Sequence, residues 1–247
     1  MRRKLRVLFY LLLFSVFLIS ANWVLQVYRN PAILVGLLAG NNYKSSRSTW
    51  QVYQHLFKRH STSVMTPRFL AGLAQAESAG NPLILPKWKW RLTTDITRIY
   101  APASTAAGLY QYTKPTFEDA KRFCIHNHQV ALKKPFPDLS GCWFNGLYSR
   151  FWPSHAIEMT SARLHYYINR ILKKNGLEKT SLRRKHQLAA IIHLCGVSKG
   201  EQFARTGFNF DRLPKCGSHG TQNYFRRIER AMSKMKSFPQ SLLQQIF

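Results

Sequence analysis

Glu77 is the residue whose surroundings in the chain suggest chemistry. Leu70, Leu73 and Ala74 lie seven, four and three residues before it, so Glu77 falls on or near the apolar face of a helix. A carboxyl half-buried among apolar side chains has its charged form disfavoured, and its pKa rises. Such a group keeps its proton near neutral pH and can serve as a general acid and then as a base. A Glu at a helix end can equally cap or salt-bridge, so the pattern needs a second feature. That feature is the block Ser104-Thr105-Ala106-Ala107-Gly108-Leu109-Tyr110-Gln111-Tyr112-Thr113, which follows the segment Ala76-Glu77-Ser78-Ala79-Gly80-Asn81-Pro82. Few other acids compete: the chain has 10 Asp and Glu against 37 Lys and Arg. Asp95, in the loop between the two blocks, is the candidate for a second carboxylate. Glu118 and Asp119 follow Thr116 early in a helix, where acids offset the helix dipole.

The elements that must position these groups read as helices. Thr66-Pro67 is an N-cap followed by proline at the first helical position, and Gly80-Asn81-Pro82 ends that helix. Further helical patterns run over 115–123, 157–174, 183–194 and 222–235. Alternation of the β type is confined to the stretch from Trp88 to Tyr100. The fold class expected is mainly α, with a small irregular or β-containing loop region.

Residues Arg2, Arg3, Lys4 and Arg6 precede an uncharged apolar stretch from Val7 to Tyr28, about the 20 residues a membrane-spanning helix needs. The basic flank places the rest of the chain outside. A cleaved signal peptide opens the same way. Ile19, however, is not small at the third position before a cut after Ala21, and Trp23 and Tyr28 suit an interfacial belt, so an uncleaved anchor is expected. The expected organisation is a flank and anchor over 1–28, a juxtamembrane segment and linker over 29–50, a folded domain over 51–235 and a tail over 236–247. Within the second segment, Ile33 to Ala39 is too short to span and reads as a packed or interfacial helix. Asn41 to Thr49 reads as the linker proper.

The 247 residues carry a formal charge of +27, which implies attraction to a polyanion or an anionic surface. Nucleic acid, phospholipid head groups and wall polymers qualify. No nucleic-acid motif appears, and the anchor places the domain away from chromosomal DNA, so no specific nucleic-acid partner is expected. Pro86-Lys87-Trp88-Lys89-Trp90-Arg91 interleaves aromatics with cations, which suits sugars, anionic polymers or lipid. Cys124, Cys142, Cys195 and Cys216 form no C-x-x-C spacing, so no zinc site is suggested. In an exported domain four cysteines allow two disulfides in three pairings. No cofactor or metal is expected.

The two blocks resemble the catalytic domain of the lytic transglycosylases, the family related to goose-type lysozyme. Its E-S-x-G motif is matched by Glu77, Ser78 and Gly80. Its S-x-x-x-G-L-M-Q motif is matched by Ser104, Gly108, Leu109 and Gln111, with Tyr110 in place of methionine. Two weaker matches follow in the same order: residues 187–196 resemble the helix ending A-Y-N-A-G, and 221–224 resemble E-T-R-N-Y, with its acid missing. The resemblance covers about 65–232. It implies a lysozyme-like α domain that cuts the MurNAc-GlcNAc bond of peptidoglycan in the periplasm, from a single-pass anchor in the inner membrane.

In that reading Glu77 protonates the glycosidic oxygen and then serves as base on the sugar's own 6-hydroxyl, leaving a 1,6-anhydro-MurNAc end. Intramolecular attack needs no activated water, which makes the second carboxylate of ordinary glycosidases dispensable. The resemblance implies substrate contacts from Ser78, Ser104, Gly108, Tyr110, Gln111, His193 and Tyr224. Gly108 would let backbone approach the glycan, Tyr110 would offer an apolar face to a sugar, and Tyr224 would reach Glu77. His193 and Leu194 replace the Tyr and Asn of A-Y-N-A-G, and Leu194 supplies no amide. Two alternatives stand beside this reading. One is a hydrolytic muramidase on the same fold. The other is an inactive peptidoglycan-binding module of an envelope-spanning secretion or conjugation apparatus, which is also the candidate partner machine.

Overall fold

The computed structural model describes residues 2–37, 42–134, 138 and 141–235. The apolar N-terminus forms one helix, α1 (Arg2–Arg29), long and apolar enough to cross a membrane. A short helix follows, α2 (Ala32–Leu37). The remainder is mainly helical: α3 (Ser46–Arg59), α4 (Pro67–Ser78), α5 (Lys114–Ala120), α6 (Pro153–Lys174), α7 (Leu182–Cys195), α8 (Val197–Arg205) and α9 (Thr221–Lys234). Three two-stranded antiparallel hairpins interrupt them: β1 (Trp88–Trp90) with β2 (Tyr100–Pro102), β3 (Phe123–His126) with β4 (Gln129–Leu132), and β5 (Lys215–Cys216) with β6 (His219–Gly220).

The centre is α4. Thr66 caps it by accepting a hydrogen bond from Phe69 N, and Pro67 takes the first helical position, where its missing N–H costs nothing. Phe69 through Ala74 are all buried, so this helix is covered on every side by its neighbours. Gly72 permits that closeness: a Cβ there would come within 2.7 Å of Met232 Cγ and 3.0 Å of Ile228 O on α9. In α9, Tyr224, Phe225, Ile228 and Ala231 form the buried stripe that faces α4, while Arg226, Arg227 and Arg230 stay exposed.

Several local expectations need correction. Residues 46–49 belong to α3 rather than to a linker. Ser45 caps that helix, and buried Thr49 donates to Gln75 Oε1 at 2.7 Å, so the segment packs on α4. The helix expected over 115–123 stops at Ala120, and Phe123 opens β3. The turn of that hairpin is Asn127-His128, both at positive φ, a pairing without the Asn-Gly signal that marks such turns in a sequence. Helix α8 had no counterpart in the sequence reading. The tail over 236–247 and the end of the 33–39 run lie outside the described residues.

The cysteines pair as Cys124–Cys142 and Cys195–Cys216. The first ties β3 to the loop before α6. The second joins the end of α7 to β5, just ahead of α9.

Candidate active site

Glu77 stands in the last turn of α4, which ends because Ala79 takes the left-handed conformation at φ 48°. Its side chain is 15% exposed, enough to meet a ligand but mostly withdrawn from water. Burial pushes its pKa from 4.5 to about 7, against the opposing pull of the Tyr224 hydrogen bond and of the Arg227 charge. The Tyr224 hydroxyl donates to Glu77 Oε1, and Arg227 lies one turn further along α9 with its guanidinium 5.5 Å from the Tyr224 ring centroid.

His193, near the end of α7, completes the cluster with Nε2 3.6 Å from Glu77 Oε1. Burial, with the Arg163 charge, depresses its pKa to about 4, so the ring is neutral when Glu77 titrates and the contact is no ion pair at neutral pH. The ring is walled by Tyr110 and Tyr112, with centroids at 6.4 and 6.0 Å.

The turn after Ala107 is bound to α4 from inside the fold. Ser78 Oγ lies 2.8 Å from Leu109 O and 3.0 Å from Ala74 O, sharing one proton between two buried carbonyls. Tyr110 Oη donates to Leu70 O at 3.0 Å. Gln111 Nε2 donates to Ile84 O and to Gly108 O, and Gly108 N also donates to Ile84 O. From outside, Arg150 Nη1 holds Thr105 O and Tyr112 O at 2.7 and 2.9 Å.

These contacts divide the sequence-derived residues. Glu77, His193 and Tyr224 come together as one cluster. Ser78, Gly108, Tyr110 and Gln111 form the joint that holds the neighbouring turn. Three roles expected of that joint are corrected. Tyr110 is 1% exposed and cannot stack on a sugar. Gly108, at φ +83°, turns the place of its missing Cβ toward Arg150 O at 2.1 Å rather than toward a ligand. The Ser78 hydroxyl is enclosed and already bonded. Ser104 stays exposed, its Oγ accepting from Ala106 N at 3.2 Å.

Sequence reasoning missed Arg227, Arg163, Tyr112 and Arg150. Arg227 lies three residues past Tyr224, a spacing that puts both on one side of α9, and that was the available signal.

No second carboxylate is bonded to the cluster among the described residues. Asp95 caps a short 3-10 turn by accepting from Thr97 N and pairs with Arg98 at 3.1 Å. The Thr97 hydrogen bonds hold its pKa down. Asp119 is held by Arg163 and Tyr167, and Glu158 by Tyr148 and Ile125 N. Among the described residues no group of three or more His, Cys, Asp or Glu is placed to hold a metal ion. Beside the seam of α4 and α9 runs a groove of about 190 Å³ lined by Gln75, Ala76, Arg227, Arg230 and Lys234, a cationic surface next to the acid.

Comparisons with known protein families, with curated proteins and with solved structures find no match to this chain.

Proposed function

We propose that this protein is a membrane-anchored peptidoglycan lytic transglycosylase with a lysozyme-like domain. In this reading α1 spans the inner membrane and the domain works in the periplasm. Glu77 is the general acid and base. It enters the reaction protonated, because burial holds its pKa near 7, and gives that proton to the glycosidic oxygen. The bond from C1 to that oxygen breaks and the next sugar leaves as its alcohol. The Glu77 carboxylate accepts the proton of the muramyl 6-hydroxyl as the 6-oxygen closes on C1, leaving an anhydro end and restoring the acid.

The observation that carries the reading is a mostly buried, proton-holding carboxyl braced by Tyr224, with no carboxylate bonded to it among the described residues. A general acid alone is too little for a two-carboxylate hydrolysis, and it suffices where the substrate supplies its own nucleophile. Neutral His193 suits the same step, since it adds no charge that would pull the proton off Glu77. The two disulfides and the net charge agree with a domain outside the cytoplasm that meets an anionic wall.

Product analysis of a wall digest tests the proposal. Native protein should release muropeptides with 1,6-anhydro ends, and Glu77→Gln should release none above background. Reducing ends from native protein would identify a hydrolase. Absence of any cleavage by native protein, with binding to wall material retained, would identify a scaffold module.

A further inference from the structure

The hairpin of β1 and β2 leaves large apolar side chains in the open. Trp90 is 76% exposed, Ile96 is 77% exposed and Leu92, between them, is fully exposed. Single exposed apolar residues are ordinary, but a cluster on one short hairpin marks a contact surface. The hairpin is also fastened to α1. Asn22 Nδ2 donates to Tyr100 O at 3.0 Å, Gln26 Nε2 to Thr97 O at 2.5 Å and Arg29 Nη1 to Thr97 Oγ1 at 2.7 Å. Gln26 is buried there, whereas the apolar face of α1 before it is open.

Those three bonds set a depth. From Val7, the first residue past the basic flank, a helix rising about 1.5 Å per residue reaches Asn22 after about 22 Å, Gln26 after about 28 Å and Arg29 after about 33 Å. The hydrocarbon layer is about 30 Å thick. Asn22 therefore lies within its outer edge, Gln26 at the boundary and Arg29 just beyond. Backbone bonded to these residues shares their level. A polar side chain at that depth needs a partner, and the Thr97 and Tyr100 carbonyls are the partners.

We propose that the segment Trp88–Pro102 docks on the membrane, with Trp90, Leu92 and Ile96 entering the outer lipid interface beside α1. This rests on the reading of α1 as a spanning anchor. Leu92 and Ile96 have no ring to stack on a sugar, so the occupant they fit is lipid. Trp90 packs on Tyr100 at 4.7 Å, and Tyr100 O is bonded to Asn22, the residue before Trp23 in α1, which puts the aromatic pair near the level of Trp23. Lys87 and Lys89 add the positive charge that anionic head groups attract, Arg98 being paired with Asp95. Four residues before the segment, the Ile84 carbonyl accepts from Gly108 N and Gln111 Nε2, which ties the chain entering the segment to the turn beside Glu77. Docking would thus hold the Glu77 site near the membrane surface and select glycan close to it.

The test uses the full chain in nanodiscs of phosphatidylethanolamine and phosphatidylglycerol with acyl chains brominated near the head group. Tryptophan quenching is measured for native chain, Trp23→Phe and Trp90→Phe, and each tryptophan's share is taken by difference. Both shares should be quenched, and Leu92→Ser with Ile96→Ser should abolish most of the Trp90 quenching. These positions are exposed, so the fold does not depend on them. A quenched Trp23 with an unquenched Trp90 overturns docking and leaves the anchor standing. Both unquenched overturns anchor and docking together. Trp90 quenched without Trp23 upholds contact with lipid and overturns the spanning helix.

Discussion

Tyr224 donates its hydroxyl to Glu77 Oε1, joining two residues 147 positions apart. The bond stabilises the ionised carboxylate, while burial of the same group stabilises the acid. Burial is the larger effect, and the carboxyl settles at about 7. The Tyr224 phenol itself is held well above its ordinary range by burial and by the carboxylate charge, so it donates and does not give up its proton.

Glycan cleavage that uses Glu77 as acid should decline above about pH 7. Arg227→Gln removes a charge that lowers the Glu77 pKa, so the declining limb should move to higher pH. Tyr224→Phe should move it the same way and lower kcat/KM by about tenfold or more, the worth of a hydrogen bond to a charged group. Profiles of kcat/KM against pH check both. A limb that stays put in both variants would remove Glu77 as its source.

The same shift acts on folding. The folded pKa of about 7 lies above the unfolded value of 4.5, so the unfolded chain releases this proton first as pH rises. Stability from this group is therefore fully present below about 4.5 and lost by about 7. The loss is on the order of 3 kcal/mol. Glu77→Gln has no such loss. Its urea midpoint should exceed that of native protein at about pH 8, with the gap closing by about pH 4.

The Cys195–Cys216 bridge spans 21 residues and connects the helix carrying His193 to the strand ahead of the helix carrying Tyr224. Replacing both cysteines by alanine should lower stability by about 3 kcal/mol on a chain-entropy estimate. It should also loosen the cluster around Glu77. The expected readouts are a lower Tm and a further drop in cleavage rate measured well below that Tm.

Gly108→Ala would place a methyl 2.1 Å from Arg150 O at a φ of +83°. The strained backbone should cost about 1–3 kcal/mol. Because the turn is bonded to α4 through Ser78 and Tyr110, activity should fall with stability although the added methyl points at Arg150. Circular dichroism melts and digest assays on one preparation check the pair of effects.

Much of the helical framework was legible from local signals. The Thr66-Pro67 start, the apolar face ahead of Glu77 and the stripe of α9 are short-range patterns, and the structure has them within a residue or two. The hairpin turn at Asn127-His128 and the packing of residues 46–49 on α4 were not legible. One lacks a turn signal, and the other is decided by a partner, Gln75, 26 residues away.

The site divides along the same line. The resemblance of two motifs to those of the lytic transglycosylases paired Glu77 with the Gly108 turn. The amino-acid sequence by itself marked Glu77 as a carboxyl on an apolar face and identified α1 by its length and lack of charge. Those are properties of spacing and composition. Only the tertiary structure decided that Asp95 turns to Thr97 and Arg98, that Tyr110 is core rather than platform, and that Tyr224 and a neutral His193 close around Glu77. Asp95 finds its partners two and three residues away, whereas the burial of Tyr110 and the closing of Tyr224 and His193 around Glu77 depend on desolvation and on contacts between segments distant in the chain, which no local pattern carries.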